Sequence, residues 1–149
     1  MNLQIAVLGG RNEYEDILKV AEEVGRLIAE NGAILVCGGM GGVMEAACRG
    51  AKSANGLTVG ILPVADAKLG NAYLDVIIST GMGDARNALI LNSVQGAIAV
   101  GGKYGTLSEI AYGIERKIPI VSLNSWDVDP AVYQAKTAQD AVEYVFNHL

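Results

Sequence analysis

The sequence is poor in the residues that most catalytic chemistry uses. Its one histidine, His148, lies next to the last residue. Ser-His-Asp and Cys-His nucleophilic sites and histidine-based metal centres are therefore not expected. Any acid–base work falls to carboxylates, Tyr or Lys. The two cysteines, Cys37 and Cys48, lie in apolar segments without a CxxC spacing. That usage predicts two buried thiols in a reducing compartment rather than a disulfide or a metal site. Positive charge is scarce: 11 Lys and Arg stand against 16 Asp and Glu, a net charge of −5, with no basic run. Nucleic-acid binding by phosphate neutralisation is not expected. No apolar run reaches membrane-spanning length. The opening strand-like run Leu3–Leu8 carries no basic segment before it, so no signal peptide is read. A cytoplasmic protein with no membrane partner is expected.

Aromatic residues are also few, with one Phe and one Trp, although hydrophobic residues make up 51% of the 149 positions. Ala, Val, Ile and Leu must then fill the core, as they do in buried parallel strands under close-packed helices. Strand-like and helix-like segments alternate. Strands are predicted at Gln4–Leu8, Ala33–Cys37, Leu57–Leu62, Leu74–Ile78, Ala97–Val100 and Ile118–Leu123. Helices are predicted at Glu13–Glu30, from the Gly38–Gly42 cluster to about Ala54, at Met82–Val94, at Leu107–Arg116 and at Ala138–Asn147. Asn31-Gly32 and Asn55-Gly56 read as helix stops, and Thr137 as an N-cap with Asp140 three residues on. Ser125–Tyr133 reads as a turn region. No linker or composition shift divides the chain. The fold class predicted is a single α/β domain over residues 1–149: a doubly wound, mostly parallel, Rossmann-like sheet with helices on both faces.

The 19 glycines gather where strands hand over to helices. Gly9-Gly10-Arg11 follows the first strand, and Gly38-Gly39-Met40-Gly41-Gly42 the second. The fifth leads into Gly101-Gly102-Lys103-Tyr104-Gly105-Thr106. With one gap the last two loops align, so that Gly41 matches Gly105 and Glu45 matches Glu109. Glycine lets backbone N–H groups approach an anion closely, and a helix start adds unpaired donors and partial positive charge. In doubly wound sheets ligands bind beyond the carboxyl ends of the strands. The pattern predicts a phosphorylated small-molecule ligand held by the amides of Gly102 to Thr106, with positive φ at Gly105 and a further donor in the Thr106 hydroxyl. Thr106-Leu107-Ser108-Glu109 also reads as a capping box, in which Glu109 satisfies the Thr106 N–H. A structural and a functional role for Glu109 both stand at this point. Glu45 reads as a first-turn structural acid. Neither loop is a Walker A motif, and neither matches the dinucleotide fingerprint.

A fourth segment at the same edge, Thr80-Gly81-Met82-Gly83-Asp84-Ala85-Arg86-Asn87, begins a helix. Its Arg86 offers a fixed fork of donors to a phosphate or carboxylate. The apolar content of the helix Met82–Val94 predicts pairing between subunits in a dimer or tetramer.

Met82-x-x-x-Arg86, Gly101-Gly102-x-x-Gly105-Thr106-x-x-Glu109 and the upstream Gly38-Gly39-x-Gly41-Gly42-Val43-Met44 together resemble the Lonely Guy-like superfamily, whose members are often labelled lysine decarboxylases. The resemblance runs from about Ile5 to Val121. Within it, the Ala-Arg-Asn before the loop is similar to the short bacterial branch near molybdenum-cofactor carrier proteins. The resemblance implies a Rossmann-like fold and homo-oligomers. It also implies a bound nucleoside monophosphate or molybdenum cofactor as ligand, with no resident cofactor required. The ligand-binding positions are then Gly9, Gly10, Arg11, Gly38, Gly39, Gly41, Gly42, Met82, Arg86, Asn87 and the loop Gly101, Gly102, Lys103, Tyr104, Gly105 and Thr106. In the hydrolase branch, which cleaves nucleoside 5′-monophosphates at the N-glycosidic bond, residues at the positions of Arg86 and Glu109 serve catalysis. That branch carries Arg-Lys where this chain has Arg86-Asn87, and Pro-Gly-Gly where it has Val100-Gly101-Gly102. Pyridoxal-dependent lysine decarboxylation finds no support in the residues.

Overall fold

A computed structural model describes residues 1–149. Seven strands form one all-parallel sheet: β1 (Gln4–Leu8), β2 (Ile34–Cys37), β3 (Thr58–Leu62), β4 (Val76–Ser79), β5 (Gly96–Val100), β6 (Ile120–Leu123) and β7 (Val132–Ala135), in the order β4-β3-β2-β1-β5-β6-β7. The helices are α1 (Glu15–Glu30), α2 (Val43–Ser53), α3 (Arg86–Ser93), α4 (Tyr104–Glu115) and α5 (Ala138–Asn147). The strand order reverses between β1 and β5, which pair directly. A doubly wound sheet opens its ligand crevice at that switch point.

Each central strand is buried on both faces. In β1, Ile5 and Val7 enter the layer under α1, α2 and α5, while Ala6 and Leu8 enter the layer under α3 and α4. The strands therefore read as unbroken apolar runs. The scarcity of aromatics follows from the helix packing. A Cβ at Gly25 of α1 would collide with the Ala47 carbonyl of α2, and one at Gly50 with the Glu22 carbonyl. The two backbones touch at this crossing, and only small residues fit between them. The cysteines pack here too: Cys37 and Cys48 are buried and unbridged, with sulfurs 3.5 Å apart. That sulfur contact, together with burial, drives the Cys48 thiol far above its usual range.

The predicted stops are in place. Gly32, at φ 78°, closes α1 with Gly32 N–H donating to Ala29 O and Ala33 N–H to Ile28 O, a Schellman pattern. Asn55, at φ 59°, plays the same part after α2. The Thr137 hydroxyl accepts from Asp140 N–H at 3.0 Å at the start of α5.

Several boundaries differ from expectation. The Ser125–Tyr133 turn region ends in an edge strand, β7, too short to show a period. β4 starts at Val76, one residue after Asp75, which is tied to the start of β3: its N–H donates to Thr58 O at 3.0 Å, and its carboxylate accepts from Thr58 N–H at 2.9 Å and pairs with Lys52 at 2.8 Å. The Lys52 ammonium holds that carboxyl below its usual range. In the Met82–Val94 segment, a 3-10 turn over Gly83–Ala85 precedes the α-helix. The apolar residues of this segment are largely spent within the subunit, since Ile90 and Leu91 of α3, and Val94 just after it, are buried. An apolar strand is left open at β4, where the successive residues Val76, Ile77 and Ile78 are all exposed.

Candidate functional site

The strand ends converge on one crevice of about 540 Å³. Its walls come from the loops after five strands: Gly9 to Glu13 after β1, Gly38 after β2, Pro63 and Val64 after β3, Gly83 to Asn87 after β4, and Lys103 to Glu109 after β5. Of the site residues predicted from sequence, Gly9, Gly10, Arg11, Gly38, Arg86, Asn87, Lys103, Gly105, Thr106 and Glu109 line it. Gly39, Gly41, Gly42, Met82, Gly101, Gly102 and Tyr104 stand outside its walls. Gly101, Gly102 and Lys103 face an adjoining cavity of about 730 Å³, shared with Arg11, Asn12 and Glu13.

The β5 loop enters α4 earlier than the sequence suggests. The helix begins at Tyr104, with Lys103 as its N-cap and no side chain bonded across the cap. Thr106 and Glu109 are therefore both inside the helix, one turn apart on the same face. This overturns the capping-box reading of Thr106-Leu107-Ser108-Glu109. Glu109 is 7% exposed, and neither of its carboxyl oxygens has a hydrogen-bond partner in the protein. Burial pushes its carboxyl up to about 8, against the opposing pull of the Arg86 guanidinium. At neutral pH it is mainly the neutral acid. The backbone N–H groups of Lys103, Tyr104, Gly105 and Thr106 donate to nothing in the protein. The Gly102 N–H, expected to join them, donates instead to Glu13 Oε1 at 2.7 Å. Gly105 does not have positive φ, and a Cβ there would meet open space.

Arg86 is held by three bonds. Its Nη1 donates to Gly38 O at 2.6 Å and Ile61 O at 2.7 Å, and its Nε donates to Asn87 Oδ1 at 3.0 Å. Nη2 is left without a protein partner at the crevice. Burial lowers the Arg86 guanidinium, and Glu109 works against that shift. Asn87 is itself buried and donates to Ser108 Oγ at 3.0 Å, which donates to Gly105 O at 2.6 Å. The residue standing where the hydrolases carry lysine thus joins Arg86 to the first turn of α4.

The β2 loop is built differently. The Val43 N–H, first in α2, donates to Gly10 O at 3.0 Å. Gly42, at φ 65°, faces the carbonyls of Gly10 and Arg11 so closely that a Cβ would collide with both. The Gly39 N–H donates to Cys37 Sγ at 3.3 Å, and its carbonyl accepts from Asn71 N–H. Glu45 lies in the first turn of α2, outside the crevice, as a structural acid would.

Nine lining residues were not among the predicted site residues: Val7, Leu8, Asn12, Glu13, Met44, Pro63, Val64, Gly83 and Asp84. The sequence pattern starts α1 at Glu13, whereas the helix opens two residues later and Glu13 turns into the β5 loop. Pro63 and Val64 were findable, because β3 ends at the same sheet edge as the other strands.

Fold and crevice together define a Rossmann-like domain with an open crevice at its switch point. The chain belongs to the SLOG cluster4 family, whose model matches residues 2–148. It is similar to the molybdenum cofactor binding protein of Rippkaea orientalis, with a TM-score of 0.93 and 34% identity over 99% of this chain and 97% of that one. It is also similar to the molybdenum cofactor carrier protein of Chlamydomonas reinhardtii, with a TM-score of 0.87 and 33% identity over 98% of each chain. An uncharacterised protein of Archaeoglobus fulgidus is 44% identical over 142 residues, 95% of this chain and 93% of the relative. DNA processing protein A of Streptococcus pneumoniae shares the fold, with a TM-score of 0.70 at 17% identity over 98% of this chain and 56% of that one. No helix is long and apolar enough to cross a membrane.

Proposed function

We propose that this protein binds a phosphorylated nucleotide-like or pterin-type small molecule, with the molybdenum cofactor as the cargo that its similarity to the carrier proteins favours. The observation that carries the reading is the start of α4. Four adjacent N–H groups there have no protein partner, and Lys103, Gly105 and Thr106 among them line a crevice shared with Arg86, whose Nη2 is free, and with the unpartnered, buried Glu109. A helix start with free amides and cations beside it suits a phosphate monoester. Glu109, neutral at this depth, adds an O–H donor towards the rest of the ligand. Arg11, Lys103, Thr106 and Arg86 are the residues that would hold the phosphate. The test is a thermal-shift panel of nucleoside monophosphates and molybdopterin. A ligand present at 100 times its Kd raises stability by about 2.7 kcal/mol. No shift with any member would overturn the reading.

One observation favours a second reading, hydrolysis of the N-glycosidic bond of nucleoside 5′-monophosphates. Arg86 and Glu109 share the crevice with the phosphate-holding turn. There Glu109, as a buried acid, would protonate the departing base, and Arg86 would position the ligand. Release of adenine from AMP, lost by at least on the order of 100-fold in Glu109→Gln, supports it. Absence of release across several nucleoside monophosphates removes it and leaves the binding reading in place.

The exposed Val76, Ile77 and Ile78 support a homo-oligomer, dimer or tetramer, that covers β4. A sedimentation mass of one chain at micromolar concentration would exclude it.

A further inference from the structure

Glu13 stands apart from the rest of the site, because it is the one acid that occupies the glycine turn. Its carboxylate rests in a cradle made by Gly10, Gly101 and Gly102. The Gly102 N–H donates to it, and a Cβ on Gly101 would lie 2.8 Å from Oε1 and 3.1 Å from Oε2. Gly101 and Gly102 have φ of 59° and 89°, so two successive residues are in the left-handed region. The Gly101 N–H is taken by Leu123 O at 3.3 Å, so the seat offers the Gly102 N–H and close room against three glycines. The cradle adjoins the free amides of Lys103 to Thr106 in the chain. It also lies on the boundary between the two cavities, which share Arg11, Asn12, Glu13 and Lys103.

We propose that the Gly10–Gly101–Gly102 cradle is a second anion subsite, filled at rest by the chain's own Glu13 and taken over by an acidic group of the ligand. The class of group is a phosphoryl or carboxylate oxygen carried beside the phosphate seated on α4. The inference rests on the proposed phosphate site, since the incoming group arrives as part of the same ligand. Displacement of Glu13 moves a negative charge out between Arg11 and Lys103 and joins the crevice to the cavity behind it. Glu13 thereby lowers affinity for anions until a ligand with two acidic groups replaces it.

The experiment uses inorganic phosphate and pyrophosphate as probes on the whole chain. Calorimetric titration compares the parent with Glu13→Gln, Glu13→Ala and Asp84→Asn. The last removes one charge from the crevice wall without touching the cradle. Pyrophosphate is expected to bind Glu13→Gln and Glu13→Ala on the order of tenfold more tightly than the parent, and Asp84→Asn by about twofold. Equal gains in the Glu13 and Asp84 variants, or a loss on replacing Glu13, would overturn the proposal and make Glu13 a structural lock. The parent alone supplies a second measurement by amide NMR. The Gly102 resonance is expected to move with the same saturation as that of Gly105. A static Gly102 beside a saturating Gly105 defeats this inference alone. No movement at Lys103 to Thr106 with either probe defeats the phosphate site beneath it as well.

Discussion

The two glycine loops look alike in sequence and do different work. After β2, glycine serves packing: Gly42 fits against the Gly10 and Arg11 carbonyls, Gly39 fits against Leu62, and the first amide of α2 is tied to Gly10. After β5, the first four amides at the start of α4 stay free, and Gly105 has open space before it. The one-gap alignment also sets unlike positions side by side, since Glu45 lies in the first turn of α2 and Glu109 a turn deeper in α4. Glycine content marks a strand-to-helix turn; what the neighbouring backbone does with the amides decides whether a ligand can use it.

The largest effect expected from this comparison is on folding. Gly42→Val is expected to destabilise by at least about 3 kcal/mol in urea denaturation, because a strained φ adds to a backbone collision. Near-parent stability would show that the β2 loop is not packed as described. Gly105→Val reverses the pattern. Stability is expected within about 1 kcal/mol of the parent, since valine costs a helix no more than glycine. Affinity for a bound phosphate ester is expected to fall on the order of 100-fold, the scale of an occluded charge-assisted contact set. Unchanged affinity would move the phosphate elsewhere.

Glu109→Gln comes next, read as stability against pH. The folded carboxyl titrates at about 8 against an ordinary 4.5, so the folded state holds the proton more tightly. Stability contributed by that proton is complete below about 4.5 and is lost as pH rises towards 8. The parent should therefore weaken across that window relative to Glu109→Gln, which has nothing to titrate. The gap should reach the order of a few kcal/mol by pH 8.5. Parallel stability curves would mean that Glu109 is not desolvated. The smallest effect is expected at Gly41→Ala, in the same loop as Gly42 but with open space before it. A change within about 0.5 kcal/mol, with binding intact, separates the two neighbours.

The sheet was legible because its strands are buried on both faces, and the helix stops because Asn31-Gly32 and Asn55-Gly56 carry their own turn chemistry. The clustering of Gly9, Gly38, Arg86 and Glu109 followed from strand ends sharing one edge. Three features were hidden for physical reasons. Lys103 caps α4 without a side-chain bond, so the first recognisable cap signal lay three residues late and invited a capping box. Asn87 reads as the loss of a lysine, whereas its amide bridges Arg86 to Ser108 across 21 positions. Glu13 fits the helical pattern of α1, and only a contact 89 residues away withdraws it.

The account turns on which glycine loop receives the ligand, and assigned amide resonances during a titration with AMP and then molybdopterin test that directly. The account predicts saturable shifts at Lys103, Tyr104, Gly105 and Thr106, with Gly39, Gly41 and Gly42 unmoved. Saturable shifts confined to Gly39–Gly42, with the start of α4 silent, would contradict it.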